Sequence, residues 1–258
     1  MPSPPPAAGA APALTLLRHA TVIVALGGQH VLVDPMLDPA GAREPIADSP
    51  EPRANPLVGL PTGFAGRLAE VTAAVVTHLH ADHLDDEGTR WLAERRVPVF
   101  GQPEDLRTLA DRGIAAREIG GEAGSLHLHR TGGRHGTGAL ADMLGPVSGV
   151  VLDDGATRVY VAGDTVRCDA FDQALSEHDP AVVVLNAGGA RFLEGDPITM
   201  TASEVVAIAA DHPNRRFVAV HMDAINHCLD TRAVLRDEIH RSGVTNVAVP
   251  EDGERAVL

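Results

Sequence analysis

Aromatic side chains are scarce in this chain: five Phe, one Trp and one Tyr make up 3% of its 258 residues. Its core must therefore rest on Val, Leu, Ile and Ala, and a hydrophobic content of 44% supplies enough of them for one sizeable domain. Cysteine is nearly absent. Cys168 and Cys228 fit no zinc-ribbon spacing, and nothing suggests a secreted disulfide framework. No apolar run approaches the ~20 residues that a bilayer-spanning helix needs, so no membrane partner is expected. Residues 1–13 have no basic n-region and are broken by prolines. They read as a disordered tail rather than a signal peptide, leaving 14–258 as a single domain. Basic residues are outnumbered, 21 against 35 acidic, for a net charge of −14. Such a surface repels phosphate backbones, so nucleic acid is not an expected partner, although bound dications would offset part of the charge locally. A soluble, reduced, cytoplasmic protein is expected.

What the chain does have is a dense run of metal-ligand side chains. His78, His80, Asp82 and His83 follow one another as H-x-H-x-D-H, directly after the β-branched run 71–76. That run reads as a buried strand. In extended backbone His78 and His80 project to the same side. Asp82 and His83 fall where the strand must turn, before a helical stretch at 86–95. One short loop can thus present two imidazoles to one ion and a carboxylate plus an imidazole to a second. Neutral imidazole and carboxylate suit zinc and other borderline divalent metals. A polar loop with accidental histidines is the bland reading, and the cost of burying so many unpartnered polar groups argues against it.

The remaining pattern is β-rich at first and then alternates. Short strands are expected at 14–17, 21–26 and 30–34, the last two joined by a Gly27-Gly28 hairpin. Residues 35–66 form a long Pro/Gly/Ala-rich loop, of the kind that is functional or disordered in a compact domain. Its Arg43, Arg53 and Asn55 can meet an anionic or polar substrate or can be ordinary surface groups. Helices are expected at 86–95, 103–112, 169–178, 201–211 and 231–242. The Thr201 to Glu204 spacing fits a capping box.

Three later positions repeat the arrangement of an apolar run ending in a ligand. His135 sits in Gly-Gly-Arg-His-Gly, Asp164 in Gly-Asp-Thr after 159–162, and His221 after 217–220. Strand ends are where open α/β sheets place their sites. Taken singly, His135 reads equally as a surface histidine, Asp164 as a turn aspartate and His221 as a satisfied core histidine. Just beyond His221, Asn226 and His227 can orient a substrate or donate a proton. His227 can also back a metal-bound imidazole. Asp34-Pro35 ends the third strand, where an aspartate often caps a neighbouring loop. Cys168 reads as packing, and His127 and His129 alternate on one face of a strand.

In this order the residues resemble the metallo-β-lactamase superfamily of metallohydrolases, over nearly the whole chain from Leu14 onward. The resemblance implies a four-layer αβ/βα sandwich with the metals at one edge of two packed sheets. It implies that His78, His80 and His135 hold a first metal, that Asp82, His83 and His221 hold a second, and that Asp164 bridges them. Arg18-His19-Ala20-Thr21 and the Pro-rich loop after Asp34-Pro35 look most like the L-ascorbate-6-phosphate lactonase-like branch. There the early histidine lies near the metals, so His19 is expected behind the ligands or in a structural hydrogen bond. Two zinc ions are the default, with manganese or iron as alternatives. The missing signal peptide sets the chain apart from the secreted β-lactamases. His80, in place of the flavodiiron glutamate, favours hydrolysis over oxygen chemistry, and there is no room for a nuclease's added domain.

The expected activity is hydrolysis of a small ester, lactone or phosphodiester by a metal-bridging hydroxide. Asp82 takes the water's proton and His227 protonates the leaving group. The competing expectation is a non-catalytic metal-bearing binding or sensor protein on the same fold. Substrate identity and oligomeric state stay open.

Overall fold

The computed structural model describes residues 11–258. The expected tail lies outside the described residues as far as residue 10, and Ala13 already opens the first strand. The N-terminal half runs β1 (Ala13–Arg18), β2 (Thr21–Leu26), β3 (Gln29–Val33), α1 (Phe64–Ala69), β4 (Ala73–Val76), α2 (Asp86–Glu94), β5 (Val99–Gly101), α3 (Leu106–Asp111), β6 (Ala116–Glu118), β7 (Gly121–Ala123) and β8 (Leu126–Gly132). The rest runs α4 (Gly138–Leu144), β9 (Ser148–Asp153), β10 (Arg158–Val161), α5 (Asp169–His178), β11 (Val182–Asn186), α6 (Ala202–Asp211), β12 (Arg216–Val220), α7 (Arg232–Ser242), β13 (Val247–Ala248) and β14 (Arg255–Val257).

Two seven-stranded mixed sheets result, in the orders β14-β1-β2-β3-β4-β5-β6 and β13-β12-β11-β10-β9-β8-β7. Strand side chains alternate between faces, so each strand feeds two layers. Val31 and Val33 enter the core between the sheets, whereas Leu32 between them packs under the helices of the first sheet. Val182 and Val184 likewise face the inter-sheet core, and Val183 and Leu185 face α5 and α6. Because both faces are covered, these strands are near-continuous apolar runs, as parallel sheets require. The expected αβ/βα sandwich is the observed one.

The segment 35–63 has no helix or strand, yet it is fixed. Buried Arg18 reaches into it, donating to the carbonyls of Met36 (2.7 Å), Asp38 (3.0 Å) and Val58 (3.0 Å). Asp85, the N-cap of α2, accepts from the Asp38 N–H at 2.7 Å. The loop is thereby tied to the strand that precedes the site and to the helix that follows it.

Candidate metal centre

The C-terminal ends of β3, β4, β8, β10 and β12 open on one edge of the sandwich, together with the β1–β2 turn. Each delivers at least one of the singled-out residues: Asp34, His78 to His83, His135, Asp164, His221 and His19. Three of them are held at positive φ, namely His19 (58°), Asp34 (48°) and His221 (68°). Left-handed backbone on non-glycine residues costs energy and concentrates where function over-determines geometry.

Asp164 is the hub. Its Oδ2 lies 3.2 Å from His83 Nε2, 3.4 Å from His135 Nε2 and 4.0 Å from His78 Nε2, and its Oδ1 lies 3.2 Å from His221 Nε2. Asn186, at the end of β11, donates to Asp164 Oδ1 at 2.6 Å and fixes the carboxylate. Gly163 before it sits at φ 69°, and a Cβ there would come within 2.6 Å of the Ser148 carbonyl. Asp82 Oδ2 stands 3.3 Å from His19 Nε2 and 3.7 Å from His221 Nε2. The His19 ring lies 3.6 Å, centroid to centroid, from that of His221.

The opposite ring nitrogens are secured from behind. His83 Nδ1 meets Asp34 Oδ2 at 2.7 Å, His135 Nδ1 meets the Ile198 carbonyl at 2.9 Å, and His78 Nδ1 meets Thr77 Oγ1 at 3.1 Å. His221 Nδ1 lies 3.6 Å from Cys228 Sγ. Asp34 also accepts from the Thr77 N–H and hydroxyl, both at 2.7 Å, so one carboxylate holds His83 and the residue that precedes the H-x-H-x-D-H loop. With Nδ1 turned outward, Nε2 is the nitrogen each ring leaves facing inward, the one a metal would take.

Ligand-type atoms within 4.8 Å of one another form three groups among the described residues: His78, His80 and His135; His78, His83 and Asp164; and His19, Asp82, His83 and His221. The donor set fits divalent cations. His78 Nε2 is buried with no hydrogen-bond partner, and the Nε2 atoms of His83 and His221 face each other at 3.3 Å. Two imidazole nitrogens facing each other at that distance need positive charge between them, either a shared cation or a proton on one ring. Burial also pushes the His78 and His221 imidazoles well below their ordinary value, keeping them neutral. Burial would raise Asp164 too, but the His221, His83 and His135 rings hold it well below the usual carboxylate range. Burial opposes protonation of His83 as well, yet Asp164 and Asp34 outweigh it and raise that ring well above its ordinary value. The cluster can bind metal.

His227 is buried among the same charges, its Nδ1 without a partner. Burial pushes it down against the pull of Asp82 and Asp164, so the resting ring is neutral. Asn226 turns out to be a fastener. Its side chain accepts from Ile46 N–H (2.9 Å) and Asn55 Nδ2 (2.6 Å) and donates to Ser49 Oγ (2.5 Å) and the Glu51 carbonyl (2.8 Å). These bonds hold the long loop rather than a substrate, and they also occupy Asn55. Arg53 pairs with Glu51, and Arg43 with Asp38 and the Ala81 carbonyl. Sequence reasoning missed Thr77, Asn186 and the Ile198 carbonyl. Asn186 alone left a trace, a polar residue closing the apolar run 181–185.

Residues 29–222 match the family model described as a beta-lactamase superfamily domain. The UPF0173 protein YddR of Bacillus subtilis (strain 168) is 33% identical over 249 residues, which are 93% of this chain and 98% of that protein. Among solved structures, a possible metal-dependent hydrolase from Veillonella parvula DSM 2008 superposes with a TM-score of 0.92 at 33% identity, covering 96% of this chain and 100% of that one. An isothiocyanate hydrolase from Delia radicum gut bacteria gives 0.87 at 32% identity, covering 95% and 99%. The sandwich, the His/Asp cluster at its edge and these matches agree: the chain belongs to the metallo-β-lactamase superfamily of metal-dependent hydrolases, within its UPF0173 family.

Proposed function

We propose that the protein is a dinuclear metal-dependent hydrolase of a small molecule, acting in the cytoplasm without nucleic acid or membrane as a partner. His78, His80 and His135 would hold one ion and Asp82, His83 and His221 the other, with Asp164 available to both. The observation that carries this reading is the convergence of Nε2 atoms on Asp164 while their Nδ1 atoms are tied outward. Zinc is the first candidate for an all-His/Asp set, with manganese or iron as alternatives. When bound, two such ions supply a water activated near neutral pH and a charge that polarises the substrate's oxygen.

The chain's own residues then do the positioning and the proton handling. Asp82 accepts the proton of the attacking water, and His19 beside its Oδ2 fixes that carboxylate's rotamer. His227, neutral at rest, donates an N–H to the leaving group. A proton taken up at Asp82 during turnover can return through His227 to complete its departure. Asp34 keeps His83 in register from behind.

A substrate panel on metal-loaded protein tests this reading. It should hold lactones, including a phosphorylated lactone because of the 18–21 motif, together with esters, thioesters and phosphodiesters. It should also hold an isothiocyanate, given the name of the relative that is 32% identical. Turnover of one class that is lost in Asp82→Asn supports the hydrolase. Binding without turnover across the whole panel supports a metal-bearing binding protein instead.

A further inference from the structure

Beside the metal cluster, α4 and the loop after β11 leave a cavity of about 470 Å³, walled by Leu140, Met143, Leu144, Phe192 and Leu193, with the Asp48 and Glu194 carboxylates also lining it. Met143 and Leu193 are 78% and 67% exposed, the highest values among large apolar side chains of the described residues. Contiguous exposed apolar surface marks a ligand groove or a partner surface. The volume falls within the ~300–1,000 Å³ typical of small-molecule sites. An apolar cavity of about 150 Å³ already takes up benzene, so there is room here for a phenyl ring or a hexyl chain.

The cavity shares its wall with the metal centre. Leu140, Leu144 and Phe192 pack on the buried cluster of Met36, Ala190, Ile198, Ile225 and Cys228. Within that cluster, the Ile198 carbonyl holds His135 Nδ1 and Cys228 Sγ lies against His221 Nδ1. The Phe192 ring lies 6.2 Å, centroid to centroid, from that of His227. No basic side chain lines the cavity, and its two charged groups are both carboxylates. An anionic group would meet repulsion there and find no partner.

We propose that this cavity receives the apolar portion of the substrate, a neutral alkyl or aryl ester, lactone or thioester whose reacting carbonyl lies at the metal cluster beyond His227. This rests on the hydrolase reading above and narrows its substrate class. The occupant is a small molecule because the cavity wall packs on the residues that back His135 and His221, and its Phe192 ring neighbours His227.

Straight-chain hydroxamates, neutral chelators with a metal-seeking head and a variable tail, separate the possibilities by isothermal titration on metal-loaded protein. From acetohydroxamate to octanohydroxamate, affinity should rise by up to about fourfold per added methylene. In Met143→Asn/Leu193→Asn, both changes at exposed positions, the gradient should flatten while metal content and acetohydroxamate affinity hold. A wild-type affinity independent of chain length, with acetohydroxamate still bound, overturns this proposal and leaves the metal reading intact. Protein that takes up neither metal nor acetohydroxamate sinks the metal reading and this proposal with it. If the double variant converts a dimer to a monomer in light scattering and the gradient survives, the patch is a contact between copies and the proposal fails.

Discussion

Asp34 has no ligand atom in the three candidate metal groups, yet it constrains the site as much as any residue that does. Its carboxylate holds His83 and both polar groups of Thr77, and its own backbone is strained at φ 48° to do so. Asp34→Ala should weaken metal affinity by about 10–100-fold, the usual cost of losing a group that orients a ligand. Titration against a competing chelator reads it directly, and unchanged affinity would refute the role. His19 carries a pH signature. Burial, opposed by Asp82, pushes its imidazole down to about 4 from the ordinary 6.5. Between those values the unfolded chain binds a proton that the folded chain refuses. The stability of metal-free protein therefore falls as pH drops from about 6.5 towards 4, by up to about 3 kcal/mol from this ring. Urea melts at pH 7 and pH 5 should show a smaller difference in His19→Gln than in wild type. At this scale the sequence was eloquent about ligand types, since a run of imidazoles and a carboxylate after a β-branched strand has few other uses. It was silent about Asn186 and Ile198, because the groups they hold lie 22 and 63 residues away along the chain.

At the scale of elements, the site depends on strand ends and on how they are fastened. The β-branched runs announced the long strands, and the buried two-face alternation explains why. The missed elements, α1, α4, β6, β7 and β14, are short, and most of their residues are partly or fully exposed. The long loop was legible as a loop but not as a fixed one. Its order comes from Arg18 and Asn226, which are remote in sequence. Asn226→Ala removes the loop's central fastener and should cost about 2–3 kcal/mol, since the buried groups it satisfied lose their partners. Faster proteolytic cleavage within 39–54 would report it, and wild-type resistance would count against it. Gly188 is a second fastening point. A Cβ there would come within 2.2 Å of the His221 carbonyl, so Gly188→Ala must displace that residue or the strand beneath it. Reduced metal content with the far-UV spectrum retained is the expected result, and full occupancy would show that the backbone yields elsewhere.

At the scale of the molecule, the sandwich has no helix among the described residues that is long and apolar enough to cross a membrane. The net charge of −14 makes attraction to a polyanion costly at low salt, where screening is weakest. The buried His/Asp cluster looks like a structural liability until cations enter the account. Metal that binds only the folded chain stabilises it by mass action, about 2.7 kcal/mol at a hundredfold excess over the dissociation constant. Loading should accordingly raise Tm. The central claim is a pair of ions organised by Asp164, and metal content per chain by elemental analysis, on wild type and Asp164→Ala side by side, addresses it most directly. The account predicts two equivalents in the wild type and a clear loss in the variant. One equivalent in the wild type, or two retained in folded Asp164→Ala, would contradict it.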